Sequence, residues 1–251
     1  RAHAEPVMLT YPDQPAIDEL VARVTEGAPL YDFVADDGVR HTVWKAEDPS
    51  ELLEAFRAVE RLYVADGHHR CAAAARAAAV LREQEPPREG LAEYEIFPAV
   101  LFPMSQLQIL PYHRIVRRLP MSPEEFLQAL EARMKVERNV ADPTPPAKGT
   151  VTLYLDGSWH RVELPPTQRG TVADQLDVAR LNEHILEPVL GITDPRTDPN
   201  LDFVGGIRGL HALKEMVDRG EAALAIAMYP TSIEELIAVS DAGLLMPPKS
   251  T

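Results

Sequence analysis

The sequence has very little cysteine. Cys71 stands alone in 251 residues, which excludes an internal disulfide and a cysteine-built zinc cluster and points to a reducing compartment. No apolar run reaches the roughly 18 residues needed to span a bilayer, and no signal peptide is visible. A cytoplasmic location is expected. Positive charge is also short: 25 Lys and Arg stand against 39 Asp and Glu, for a net charge of −14. A protein that grips nucleic acid or an anionic membrane surface needs a basic face, so neither partner is expected. Internal repeats and low-complexity segments are absent. The closing Lys249-Ser250-Thr251 is like the tail of a Walker motif, but the upstream glycines that would cradle phosphate are missing. At 45% hydrophobic and 25% charged residues, enough apolar material remains for one large or two ordinary domains.

The chain is organised around Leu62-Tyr63-Val64-Ala65-Asp66-Gly67-His68-His69-Arg70. Tyr63 to Ala65 read as a short buried strand, Asp66-Gly67 as a turn, and a helix is expected to start within a residue or two of His68. The Ala-rich run from Cys71 to Arg82 supports that helix, because alanine has the highest helix propensity. Its first turn would carry two imidazoles and a guanidinium where backbone N–H groups lack partners and the helix dipole is positive. Such a place attracts an anion, most often a phosphate, and Gly67 would let the backbone approach it closely. The plainer reading makes Asp66 an N-cap and the histidines a solvated helix start. Adjacent histidines at the positive end of a helix cost stability, and sequences break such local rules mostly at functional sites. Cys71 beside this cluster reads as a small buried residue rather than a reactive thiol. Asp66, His68 and His69 lack the i,i+4 spacing of a helical metal pair, so no protein-held metal is expected.

Elsewhere the pattern alternates. Val7 to Tyr11 reads as a strand, Ala16 to Thr25 as a helix, and Leu30 to Val34 and His41 to Lys45 as a hairpin about Asp36-Asp37-Gly38. Asp48-Pro49-Ser50-Glu51 looks like a helix start with proline in the first helical position. Pro86 to Gly90 is a loop. Ile96 to Phe102 reads as a strand that Pro98 pushes to an edge or bends. Pro111-Tyr112-His113-Arg114 ends the following segment with a second imidazole–guanidinium pair. Ser122-Pro123-Glu124-Glu125 caps a helix. Ala141 to Thr150, with three prolines, is the best linker candidate, giving an α/β domain over residues 1–140 and a C-terminal α/β subdomain over 150–251. Beyond it come a hairpin about Asp156-Gly157, a helix from Asp174 to Leu186, a strand from Leu201 to Val204 with a Gly205-Gly206 exit, a helix from Leu210, a buried strand from Ala222 and a last helix from Ser232. The fold class is mixed α/β, a layered mixed sheet with flanking helices.

Tyr63-Val64-Ala65-Asp66-Gly67-His68-His69-Arg70, Leu101-Phe102-Pro103-Met104, Ile109-Leu110-Pro111-Tyr112-His113-Arg114 and Met246-Pro247-Pro248-Lys249-Ser250-Thr251 together resemble the bacterial and archaeal family known as domain of unknown function 1015. Members of that family carry an N-terminal portion and run on past Lys-Ser-Thr, so the chain is expected to be part of a longer protein. The Asp-Gly-His-His-Arg core also resembles the phosphate-binding turn of the ParB/sulfiredoxin superfamily, in the version of the archaeal free-serine kinases. His68 stands where sulfiredoxins have their catalytic cysteine, so that chemistry is not expected. A glutamate the kinases use upstream has no counterpart the sequence places.

The resemblance implies phosphoryl transfer from a nucleotide to the hydroxyl of a small metabolite, with magnesium carried in by ATP or ADP. Asp66, His68 and His69 would be the catalytic groups. Gly67, Arg70, His113, Arg114, Lys249, Ser250 and Thr251 would bind nucleotide and phosphate, the last five closing over the turn. Two alternatives stand beside this: a non-catalytic nucleotide-sensing module, and a ParB-like nuclease or DNA-binding protein, which the net charge opposes.

Overall fold

A computed structural model describes residues 5–84 and 89–250. The expected loop at Pro86-Pro87-Arg88 lies outside them, apart from its end at Glu89-Gly90. The chain forms two compact units that divide after Leu107, not at the proline-rich Ala141–Thr150 segment. That segment lies inside the second unit. Its prolines do not make it a free linker: Pro145 is buried, the Pro143 carbonyl accepts from the Thr152 hydroxyl, and Asp142 Oδ1 accepts from the Thr144 N–H at 2.9 Å.

The first unit contains β1 (Val7–Tyr11), α1 (Pro15–Thr25), β2 (Tyr31–Val34), β3 (Arg40–Val43), α2 (Ser50–Arg57), β4 (Tyr63–Asp66), α3 (His68–Gln84) and β5 (Ala99–Pro103). Its sheet has the order β4-β1-β5. β1 is central, antiparallel to β4 and parallel to β5. β5 is therefore an edge strand, where proline is tolerated. It starts only at Ala99, after the Pro98 carbonyl has accepted the Val7 N–H at 3.0 Å. Thr10, buried in β1, ties the pair with a hydroxyl bond to the Phe102 carbonyl at 2.9 Å. Val7, Tyr11 and Ile17 form the core with Ala74 and Ala78 of α3, whose small side chains suit close packing. Tyr11 meets Phe56 edge to face at 5.2 Å. β2 and β3 form a separate two-stranded hairpin, as the Asp36-Asp37-Gly38 signal predicts. α2 begins one residue later than expected, because Pro49 takes the cap position and Asp48 Oδ1 accepts from the Ser50 N–H at 3.0 Å.

The second unit contains β6 (Tyr112–Val116), α4 (Pro123–Glu131), β7 (Val136–Glu137), β8 (Thr150–Leu155), β9 (Ser158–Glu163), α5 (Asp177–Leu181), β10 (Leu201–Gly205), α6 (Gly209–Asp218), β11 (Leu224–Met228) and α7 (Ile233–Asp241). The sheet order is β10-β6-β11-β8-β9-β7, with every pairing antiparallel. One face buries Val116, Leu153, Leu155, Leu224 and Ile226 together with Phe126 and Leu130 of α4, Leu181 of α5 and Val239 of α7. The other face holds Ile115, Tyr154, Ala225 and Ala227 with Leu213 of α6. Period-two alternation sends successive residues of each strand to opposite faces. Tyr154 is buried but satisfied: its hydroxyl donates to Asp218 at 2.7 Å and accepts from Lys214 at 2.9 Å. α4 and α7 each carry the Ser-x-x-Glu capping box that their sequences announce. The helix expected from Asp174 starts at Asp177 and widens into a π-helical turn over Asn182–Leu186. The fold class is the mixed α/β one that the alternation implies.

Candidate functional site

β4 runs from Tyr63 to Asp66, the chain turns at Gly67, and α3 starts at His68. Gly67 has φ +92°, which L side chains rarely adopt. A Cβ there would also stand 3.0 Å from Arg70 Nε and 3.1 Å from Val7 Cγ1. Glycine is needed both for the turn and for its close fit against β1. His68 and His69 follow on the first helical turn, both exposed, and neither has a hydrogen-bond partner among the described residues. The Cys71 N–H already bonds to the Gly67 carbonyl at 2.9 Å, so the donors left without helical acceptors are those nearest the histidines. Cys71 is a free, half-buried thiol.

Arg70 does not stand as a free phosphate fork. Its Nη2 donates to Asp66 Oδ2 at 2.5 Å, and its Nη1 donates to the Pro6 carbonyl at 2.8 Å and lies 3.3 Å from Glu5 Oε2. Asp66 ends β4 and Arg70 lies on the first turn of α3, and the Gly67 turn between them folds the carboxylate back onto the guanidinium: Asp66 is a local acid for it. The two residues clamp the turn to the segment entering β1. Asp66 is engaged in orienting the turn.

The second imidazole–guanidinium pair is not a segment end. Tyr112 to Val116 form β6, flanked by β10 and β11, and both His113 and Arg114 are 2% exposed. His113 Nδ1 accepts from the Met228 N–H at 3.1 Å. Burial, with the neighbouring Arg114 charge, pulls its pKa down to about 4. Arg114 donates to the Tyr112 carbonyl and lies over the Phe203 ring at 5.2 Å; burial pulls its pKa down to about 10.

Lys249 has φ +55°, and its ammonium lies 5.4 Å from the centre of the Tyr112 ring. Ser250 is buried; its hydroxyl donates to the Pro247 carbonyl at 2.8 Å and its carbonyl accepts from the Thr231 hydroxyl at 2.9 Å. It shapes a turn and has no hydroxyl free for a ligand. Thr251 lies outside the described residues. Gly206 does not open a phosphate loop: a Cβ there would stand 2.6 Å from the Pro111 carbonyl oxygen, so close packing of β10 on the start of β6 requires glycine.

Asp66 to Arg70 thus cluster in the first unit and Arg114, Tyr112 and Lys249 in the second. Phe203 joins the second group through its register opposite Arg114, a neighbour no sequence spacing announces. Among the described residues no group of three or more His, Cys, Asp or Glu side chains is placed to hold a metal, and no helix is long and apolar enough to cross a membrane.

Residues 1–179 match the family model described as "Protein of unknown function (DUF1015)", and the chain belongs to that family. No curated protein matches. Among solved structures the chain is similar to free serine kinase in complex with AMP, at 12% identity over 97% of this chain and 81% of that one, with a TM-score of 0.39. A mutant of free serine kinase in complex with AMP aligns at 14% identity, over 100% of this chain and 88% of that one, with a TM-score of 0.38. A conserved hypothetical protein from Pyrococcus furiosus aligns at 12% identity, over 97% and 85%, with a TM-score of 0.38.

Proposed function

We propose that this chain binds a nucleotide by its phosphates at the β4–α3 turn and transfers a phosphoryl group to the hydroxyl of a small metabolite. The observation that carries the reading is the Gly67 turn, which presents the His68 and His69 imidazoles, without partners among the described residues, on the first turn of a 17-residue helix. Unpaired N–H groups and the helix dipole favour a phosphate there. The Asp66–Arg70 pair holds the turn rigid, as positioning residues. In the transfer step the substrate hydroxyl oxygen attacks the terminal phosphorus. The bond from that phosphorus to the nucleotide's bridging oxygen breaks, and the hydroxyl proton passes to the imidazole of His68 or His69. Positioning and charge carry most of such chemistry. Magnesium would arrive with ATP or ADP, on oxygen ligands of the nucleotide. The net charge of −14 sets nucleic acid aside.

The engagement of Asp66 by Arg70 favours one second reading, a nucleotide-sensing module that binds without turnover. A thermal-shift and calorimetric screen of the chain against ATP, ADP and AMP, with and without magnesium, tests the binding. A nucleotide at a hundred times its Kd stabilises by about 2.7 kcal/mol. The shift should appear with the parent and vanish in a His68→Ala/His69→Ala double variant. A chain that binds none of the three, or a double variant that binds like the parent, overturns the site. Release of ADP in the presence of hydroxyl metabolites separates transfer from sensing.

A further inference from the structure

The second unit contains a charge that its own residues leave unbalanced. Arg114 lies on the face of β6 that packs against the larger core, 2% exposed. The acid next to it in register is committed elsewhere: Asp202, one step away on β10, pairs with Arg117 at 2.9 Å. No carboxylate pairs with Arg114 among the described residues. A guanidinium has five donors, and the protein supplies one acceptor, the Tyr112 carbonyl, with the Phe203 ring face beside it. The remaining donors are not sealed in, because the fully enclosed orphan polar atoms among the described residues belong to His160, Arg161, His184 and Glu235. What little of Arg114 reaches the surface is therefore its charged edge. A buried cation without a counter-ion is expensive, and an ion supplied from outside would balance it.

A second cation stands close by. Tyr112 meets Phe203 edge to face at 6.4 Å, with Arg114 against Phe203 and Lys249 against Tyr112. Lys249 is exposed and has no acidic partner among the described residues. It does not wander freely: its left-handed backbone is fixed by the bonds of Ser250 to Pro247 and Thr231.

We propose that Arg114, Lys249 and the Tyr112–Phe203 pair form an oxyanion-binding site within the second unit, for the carboxylate or phosphate of a small molecule. The guanidinium fork takes two oxygens side by side, the geometry shared by both anions. The ammonium adds the second charge, and the ring faces shield the pair from bulk water. The site stands independently of the nucleotide reading, since it uses no residue of the β4–α3 turn.

The test measures binding of inorganic phosphate and of acetate to the chain by calorimetry, at low ionic strength. The parent should bind at least one of them, and the tighter anion assigns the ligand class. Arg114→Met, which keeps length and loses charge, should remain folded and weaken that binding at least tenfold. Lys249→Ala, at an exposed position, should weaken it severalfold. The measurements are made in the His68→Ala/His69→Ala background, which serves as the parent here and removes the turn's own phosphate binding, so that this site is read alone. A parent that binds neither anion, or a folded Arg114→Met that binds like the parent, overturns the proposal. If Arg114→Met does not fold, Lys249→Ala decides: parent-like binding overturns the site and weakened binding supports it.

Discussion

Gly67→Ala puts the turn to its most direct test. At φ +92° an L residue pays about 1–2 kcal/mol in backbone strain. The added Cβ would meet Val7 Cγ1 at 3.1 Å and Arg70 Nε at 3.0 Å. Val7 is 2% exposed in the central strand and has no room to withdraw. Arg70 must move instead, loosening its contacts to Asp66 and Pro6. Those contacts are partly solvated, so their loss adds roughly 1 kcal/mol at most. The expected destabilisation of the first unit is about 2–3 kcal/mol. Trp44 lies in the first unit and Trp159 in the second, and they are the only tryptophans. In a Trp159→Phe background, urea unfolding followed by fluorescence therefore reports on the first unit. A loss below about 0.5 kcal/mol would refute both the strain and the close approach, and with them the argument that this position must be glycine.

Arg70→Ala should cost the first unit about 1 kcal/mol in the same assay, as partly exposed pairs do, and weaken nucleotide binding through a looser turn; an unchanged urea midpoint would show the clamp to be idle. His113 is neutral in the folded state, with a pKa drawn down to about 4 from an unfolded value near 6.5. Its contribution is complete above about pH 6.5 and is lost as pH falls through that value toward 4, for roughly 3 kcal/mol in all. His113→Asn keeps an acceptor for the Met228 N–H and should flatten the fall in urea midpoint between pH 6.5 and 4; parallel profiles for parent and variant would contradict this. Tyr154→Phe removes the hydroxyl shared by Asp218 and Lys214 and should cost about 1–2 kcal/mol, read from the unfolding of the second unit by Trp159 fluorescence.

The parts legible in the sequence are those governed by local rules. The strand, turn and helix from Tyr63 to Gln84 follow from an apolar triplet, a glycine and an alanine run. The capping boxes at Ser122 and Ser232 and the turn at Asp156-Gly157 are equally local. The misread parts depend on neighbours distant in sequence. Tyr112 to Val116 contains two cationic-type side chains and looks like a surface exit, yet pairing with β10 and β11 makes it an inner strand. Ala141 to Thr150 has the composition of a linker, yet its turns are bonded to β8. At the turn itself, Asp66 reads as a catalytic group and Arg70 as a phosphate ligand, and only the fold of the Gly67 turn shows the carboxylate lying on the guanidinium. Phe203 could not be assigned to Arg114 from sequence, since only the β10–β6 register joins them.

The central position of β1 also governs the order in which the first unit can be assembled. Its parallel neighbour β5 pairs Val7 with Ala99 and Tyr11 with Pro103, a separation of 92 residues. During synthesis the hairpin β2–β3 and the helices α1 to α3 leave the ribosome before that edge exists. Closing so long a loop costs entropy before any ladder bond repays it. The turn at Gly67 is therefore made early, while the sheet that braces it through Val7 is completed last, and a nascent chain halted short of Ala99 would present β1 with one bare flank open to pairing with another strand.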